Sequence, residues 1–163
     1  MGTVRGQPCI ASARFPDDLE AVRRAFRAYE AAVDAPACFA GFDRELAGLP
    51  GAYAPPEGTI LLVRDAGGLV AGCVAVRGAA GGGAEIKRLF VAPEARGKGL
   101  GRRLMDAALH AALHAAQALG YRYVVLETHE SMTEAMALYV GLGFAPVGVS
   151  ADGTITRMTR GIA

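Results

Sequence analysis

Apolar residues first recur at helical intervals. Leu19, Val22, Phe26, Tyr29 and Val33 make one stripe, which predicts an amphipathic helix packed on a core. Asp17 is placed to cap it, with Glu20 as its third residue. A second stripe, Phe39, Phe42, Leu46 and Leu49, predicts another helix that Pro50-Gly51 ends. A short strand, Cys9–Arg14, precedes both. The period then shortens. Thr59–Arg64 and Leu69–Arg77 are aliphatic and β-branched and flank Asp65-Ala66-Gly67-Gly68, the signature of a hairpin. The glycine-rich segment 78–83 leads into a third strand, Ala84–Ala92. Alternation there would put Glu85, Lys87, Leu89 and Val91 on one face and Ile86, Arg88 and Phe90 on the other.

Helical spacing returns at Leu100 and runs to Leu119, where Gly120 supplies a C-terminal stop. Its polar stripe is Arg103, Asp106, His110, His114 and Gln117, opposite Leu104, Ala108, Ala111 and Ala115. Tyr121–Thr128 is a further strand. A helical crossover of this length makes it parallel to Ala84–Ala92 and right-handed. Ser131 and Glu134 read as a capping box for a last helix with Ala135, Leu138, Tyr139 and Leu142 on one side. Strands Phe144–Val149 and Thr154–Arg160 close the chain around Ala151-Asp152-Gly153. The order βααβββαβαββ predicts an α/β (α+β) fold, a mixed sheet with helices on both faces. With neither repeat nor linker, residues 1–163 read as one domain.

Composition narrows the field by exclusion. Seventeen basic and sixteen acidic residues nearly cancel, which argues against a general nucleic-acid or membrane-surface partner. No apolar run is long enough to span a bilayer, and Met1–Ile10 has no charged-then-apolar leader, so a cytoplasmic location is expected. Cys9, Cys38 and Cys73 are odd in number and far apart, which predicts reduced thiols rather than disulfides or a zinc knuckle. His110-x-x-x-His114 has no third ligand placed by sequence, so no metal is expected.

Charge concentrates instead at Arg96-Gly97-Lys98-Gly99-Leu100-Gly101, between the third strand and the long helix. Glycines at alternate positions let the backbone turn tightly and aim several N–H groups at one point. The helix start adds unpaired N–H groups and a partial positive charge. Arg96, Lys98, Arg102 and Arg103 surround the same place, a cradle suited to a pyrophosphate. A P-loop would need a hydroxyl after Lys98, where Gly99 stands. A dinucleotide fold would need Gly-x-Gly-x-x-Gly, which the spacing also breaks, although Glu127 could imitate the ribose-binding acid.

Arg96, Gly99 and Gly101 match the pattern Arg/Gln-x-x-Gly-x-Gly/Ala, and here the chain resembles the GNAT superfamily of N-acetyltransferases. Ala135-Met-Ala-Leu138-Tyr139-Val-Gly-Leu-Gly143-Phe144 resembles the same family's final helix. The resemblance implies a six- to seven-stranded, mostly antiparallel sheet with a central parallel pair. It also implies acetyl-CoA as co-substrate, bound by Arg96, Gly97, Lys98, Gly99, Leu100, Gly101 and Arg102. Backbone groups of Leu89, Phe90 and Val91 would meet the pantetheine amides.

Tyr139 matches the family's thiolate-protonating tyrosine and is the expected general acid. Glu85 is eleven residues before Arg96, the interval at which some relatives carry a catalytic glutamate, and is the candidate base. Partial burial would strengthen it, and a salt bridge with Lys87 or Arg88 is its competing role. Glu127 and His129 are second choices. Met132 stands where the family often has an asparagine, seven residues before Tyr139. Ser131 or the Thr128 hydroxyl would then have to serve the co-substrate. The expected acceptor is a primary amine on a small molecule. The alternatives are a catalytically silent acyl-CoA sensor or, more remotely, a dinucleotide oxidoreductase. A homodimer is compatible with such a domain, but no motif specifies one.

Overall fold

In the computed structural model, which describes residues 6–162, seven strands form one sheet in the order β1-β2-β3-β4-β5-β7-β6. They are β1 (Cys9–Ser12), β2 (Thr59–Arg64), β3 (Val70–Ala79), β4 (Gly83–Val91), β5 (Tyr123–His129), β6 (Ala145–Val149) and β7 (Ile155–Gly161). Neighbours are antiparallel except β4 and β5, whose parallel pairing is required by the intervening helix. The expected mixed sheet with a central parallel pair is therefore present. Part of the leader reading at Met1–Ile10 lies outside the described residues. No described helix is long and apolar enough to cross a membrane.

Helix α1 (Leu19–Ala32) and the short α2 (Phe42–Ala47) cover one face, and α3 (Leu100–Leu119) and α4 (Thr133–Gly141) the other. Val22 and Phe26 are fully buried from α1 against Leu62, Cys73 and Ala75. Truncating such a ring costs about 3–5 kcal/mol. Leu104, Met105, Ala108 and Ala112 of α3 pack on the opposite face with Val74, Val76 and Ile86. The small alanines let the long helix lie close to the sheet.

Several local expectations are corrected. Asp18, not Asp17, precedes α1, and no side chain caps the helix. Its carboxylate accepts from the Arg14 N–H at 2.7 Å and Arg64 at 2.8 Å, so the side chain ties the helix to β2 instead. The second apolar stripe is not one helix. A 3-10 turn at Pro36–Phe39 is followed by Gly41 at φ 72° and only then by α2. Met132 precedes α4, and Ser131 makes no capping box. The His129 Nδ1 accepts the Ser131 N–H at 3.1 Å and lies 2.8 Å from the Ser131 hydroxyl.

The alternation expected along β4 fails at one point. Cys73 faces Phe90 and Ala75 faces Lys87, so one residue of β3 opposes two of β4. This is a β-bulge. Arg88 sits in it at φ 62°, the one non-glycine residue with positive φ among the described residues. An L side chain there costs of order 1–3 kcal/mol. Past the bulge the faces exchange: Ile86, Leu89 and Val91 all pack on the α3 side, whereas Phe90 joins the α1 side with Arg88.

Candidate active site

Strands β4 and β5 pair only at Ala84–Val124 and Glu85–Val125. Beyond that point they diverge, and the gap opens into a cleft of about 570 Å³. The Ala92 N–H donates to Ala71 at 2.8 Å, so alternation turns the main chain of Val91 away from β3 and toward the gap. With no β5 residue opposite, main-chain groups of Leu89 and Val91 face the cleft unpaired by a neighbouring strand, the Val91 carbonyl accepting from Arg96 instead. An extended amide-containing ligand would complete them as an added strand does.

The glycine loop closes one end of this cleft. Gly97 and Gly99 stand at φ 78° and 75°, and a Cβ on either would meet nothing within 4 Å. Their lack of side chain therefore serves the backbone turn. Gly101 is different, since it is helical and a Cβ there would touch Leu138 at 3.7 Å. Arg96 N–H bonds to Pro93 and Arg103 N–H to Gly99, but the N–H groups of residues 97–102 find no backbone acceptor among the described residues. Donors without acceptors at a helix start form an anion site. Open space, free donors and a flanking guanidinium together fit the diphosphate of a coenzyme A thioester.

Nearly all the residues expected to hold that group come together. Leu89, Phe90, Val91, Arg96, Gly97, Gly99, Leu100, Gly101 and Ser131 line the one cleft. The Arg96 guanidinium is drawn inward by its 2.9 Å bond to the Val91 carbonyl. Three cations are not brought to it. Lys98 lines a separate hollow beside Arg24 and Leu69, Arg102 lies exposed off the cleft wall, and Arg103 donates to the Pro8 carbonyl at 3.0 Å. On the opposite wall Tyr29 and Ala32 of α1, with Val33 just past its end, face Met132 and Leu138. The Tyr29 stripe was legible, its exposure to a cleft was not. Tyr29 donates to the Met132 sulfur at 3.8 Å, which joins α1 to α4 across the opening where an asparagine was expected.

Tyr139 does not itself line the cleft, although its neighbour Leu138 does; it is 7% exposed, with its ring 6.1 Å from Phe144 in an edge contact. Burial, reinforced by nearby Tyr29, pushes its phenol well above the ordinary value, so the proton stays on at neutral pH. Burial likewise pushes Tyr29 up to about 12. Glu85 is held at 2.7 Å by Arg77 rather than by Lys87 or Arg88; it stands at the last β4–β5 pair and does not line the cleft. Glu127 accepts from Arg157 at 3.3 Å and is half exposed. Thr128 is buried with its hydroxyl unpartnered. His110 and His114 are exposed, and no three potential metal ligands cluster among the described residues.

The geometry agrees with comparisons to known proteins. A family profile described as an acetyltransferase (GNAT) domain matches residues 56–146. The chain belongs to the GNAT acetyltransferases. An uncharacterized N-acetyltransferase of Schizosaccharomyces pombe is 35% identical over 136 residues, covering 83% of this chain and 81% of that protein. A protein named IAA acetyltransferase from Azospirillum brasilense is 38% identical over 96 residues, 58% of this chain and 60% of its own. The crystal structure of a GNAT acetyltransferase from Staphylococcus aureus superposes with a TM-score of 0.75 at 14% identity, covering 96% of this chain and 99% of that one. The protein is thus an acyltransferase of a family that uses acetyl-CoA. Its loop follows the GNAT spacing rather than the dinucleotide one.

Proposed function

We propose that this GNAT protein transfers the acetyl group of acetyl-CoA directly to the primary amine of a small molecule, within one domain. The observation that carries the reading is the single cleft in which free loop donors, unpaired strand groups and the helix bearing Tyr139 converge. An N-acetyltransferase relative covering most of the chain supports an amine acceptor.

Acetyl-CoA supplies an activated thioester. The loop N–H groups and Arg96 hold its diphosphate, and Leu89–Val91 align the pantetheine arm, which fixes the acyl carbon in place. The acceptor must arrive without its extra proton, because an ammonium of pKa ~10.4 has no lone pair at neutral pH. As the amine nitrogen bonds to the acyl carbon, the C–S bond breaks. Tyr139 gives its proton to the departing sulfur. The amine proton leaves to Glu85, which is held by Arg77, or through water to Glu127 or His129 at the open end of β5.

The test is release of free thiol from acetyl-CoA in the presence of a panel of primary amines, beside calorimetric binding of acetyl-CoA alone. Turnover with at least one amine is expected. Tight binding without thiol release from any amine would make the protein a sensor instead.

A further inference from the structure

The bulge in β4 presents a puzzle in residue choice. Positive φ is the ordinary territory of glycine, yet position 88 carries a long cationic side chain at φ 62°. The conformation must therefore be held by what that side chain grips.

The grip is extensive. Arg88 is 6% exposed. Its Nε donates to Glu45 Oε2 at 3.0 Å and its Nη2 to Glu45 Oε1 at 3.1 Å, the bidentate fork that only a guanidinium offers. Nη1 donates to the Cys38 carbonyl at 3.2 Å. The Tyr53 hydroxyl donates to Glu45 Oε1 at 2.8 Å and so fixes the carboxylate. Phe42 and Phe39 lie beneath the guanidinium at 4.8 and 5.3 Å. At the other end of the residue, the Cys73 thiol donates to the Arg88 carbonyl at 3.3 Å. Side chain and backbone are both pinned, one by α2 and its flanking turns, the other by β3.

We propose that Arg88 and Glu45 act as a positioning clamp: by holding position 88 in the left-handed region they keep the bulge in β4. That bulge turns Leu89–Val91 toward the cleft and sets the main-chain geometry that receives the acyl carrier. The inference rests on the reading of this cleft as the acetyl-CoA site. Neither residue touches the carrier. They act through the strand, and they link α2 to a cleft walled by the start of α3, by α4 and by the end of α1.

The clamp makes an inverted prediction. If Arg88 merely filled space, Arg88→Gly, the larger truncation, would be more harmful than Arg88→Ala. If it holds the backbone, glycine keeps the conformation without strain and alanine does not. Calorimetric titration of acetyl-CoA into the full chain is expected to give affinity in the order parent, Arg88→Gly, Arg88→Ala, with roughly tenfold between the two variants. Hydrogen exchange at the Phe90 amide, paired with Cys73 beside the bulge, should quicken in the same order. Equal affinities for the two variants, or a weaker glycine variant, would overturn the proposal. Should both variants fail to fold, Glu45→Gln preserves the buried shape while weakening the fork. A loss of several-fold in affinity there supports the clamp, and none refutes it. A parent protein that does not bind acetyl-CoA would strike the cleft reading alone. Thermal midpoints would then decide the clamp, with glycine above alanine as the expected order and the reverse refuting it.

Discussion

The two sides of the sheet present their chemistry in different materials. On the α3–α4 side the contacts are main chain: free N–H groups of residues 97–102, the strand groups of Leu89–Val91 and a helix start. On the α1–α2 side they are side chains in pairs, Arg88 with Glu45, Arg77 with Glu85 and Arg27 with Asp43. Main-chain recognition leaves a short, local imprint in sequence, because only glycine spacing and a helix start are needed. Side-chain recognition leaves none, because its partners are brought from distant positions. The family match at residues 56–146 follows the same line: it includes β4, the loop and Tyr139 and stops short of α1 and α2.

The largest effect should come from the main-chain side. Gly99→Glu adds a side chain at φ 75° and a negative charge beside the free donors, so acetyl-CoA affinity measured by calorimetry should fall at least ~100-fold. An unchanged dissociation constant would remove the loop from the binding site and erase the contrast. Tyr139→Phe should leave that affinity within about twofold while lowering kcat by roughly 10²-fold, the usual scale for one proton-transferring group. A loss of affinity instead of rate would make Tyr139 a wall residue.

The smallest effect belongs to the side-chain half and appears in acid. Burial raises the Glu45 carboxyl, but Arg88 and the Tyr53 hydroxyl outweigh it, and the net shift is below the ordinary 4.5. A carboxyl depressed in the folded state stabilises the fold above its unfolded pKa, and that contribution fades as pH falls through the folded value. The thermal midpoint of the parent should therefore decline from about pH 4.5 downward more steeply than that of Glu45→Gln. Parallel curves would mean that the pair carries no net charge effect.

How much of this was legible in the sequence follows the same contrast. The hairpin at Asp65–Gly68, the long helix ending at Gly120 and the glycine loop each announce themselves within a few neighbouring residues, and each lies where its local chemistry placed it. The failures depend on distant partners. Asp18 spends its carboxylate on Arg64 of β2, and Ser131 is captured by the His129 ring. The strict alternation of β4 was overruled by a residue clamped from 43 positions away. Lys98 and Arg103 counted as loop cations by proximity in sequence, whereas the loop puts Lys98 on a separate hollow and the Pro8 carbonyl takes Arg103. Periodicity reports which face is apolar. It is blind to a single residue whose torsion reverses the faces.

The outermost strand, β6, has a consequence for how copies of the protein behave at high concentration. All five of its residues are exposed, Val147 and Val149 among them, an arrangement that ordinarily invites edge-to-edge zipping. Pro146 lacks an N–H to offer, and the register shift between Pro146 and Gly148 breaks the remaining row. At the other margin, β1 is only four residues long. The sheet thus ends on both flanks in borders too short or too interrupted to template another chain.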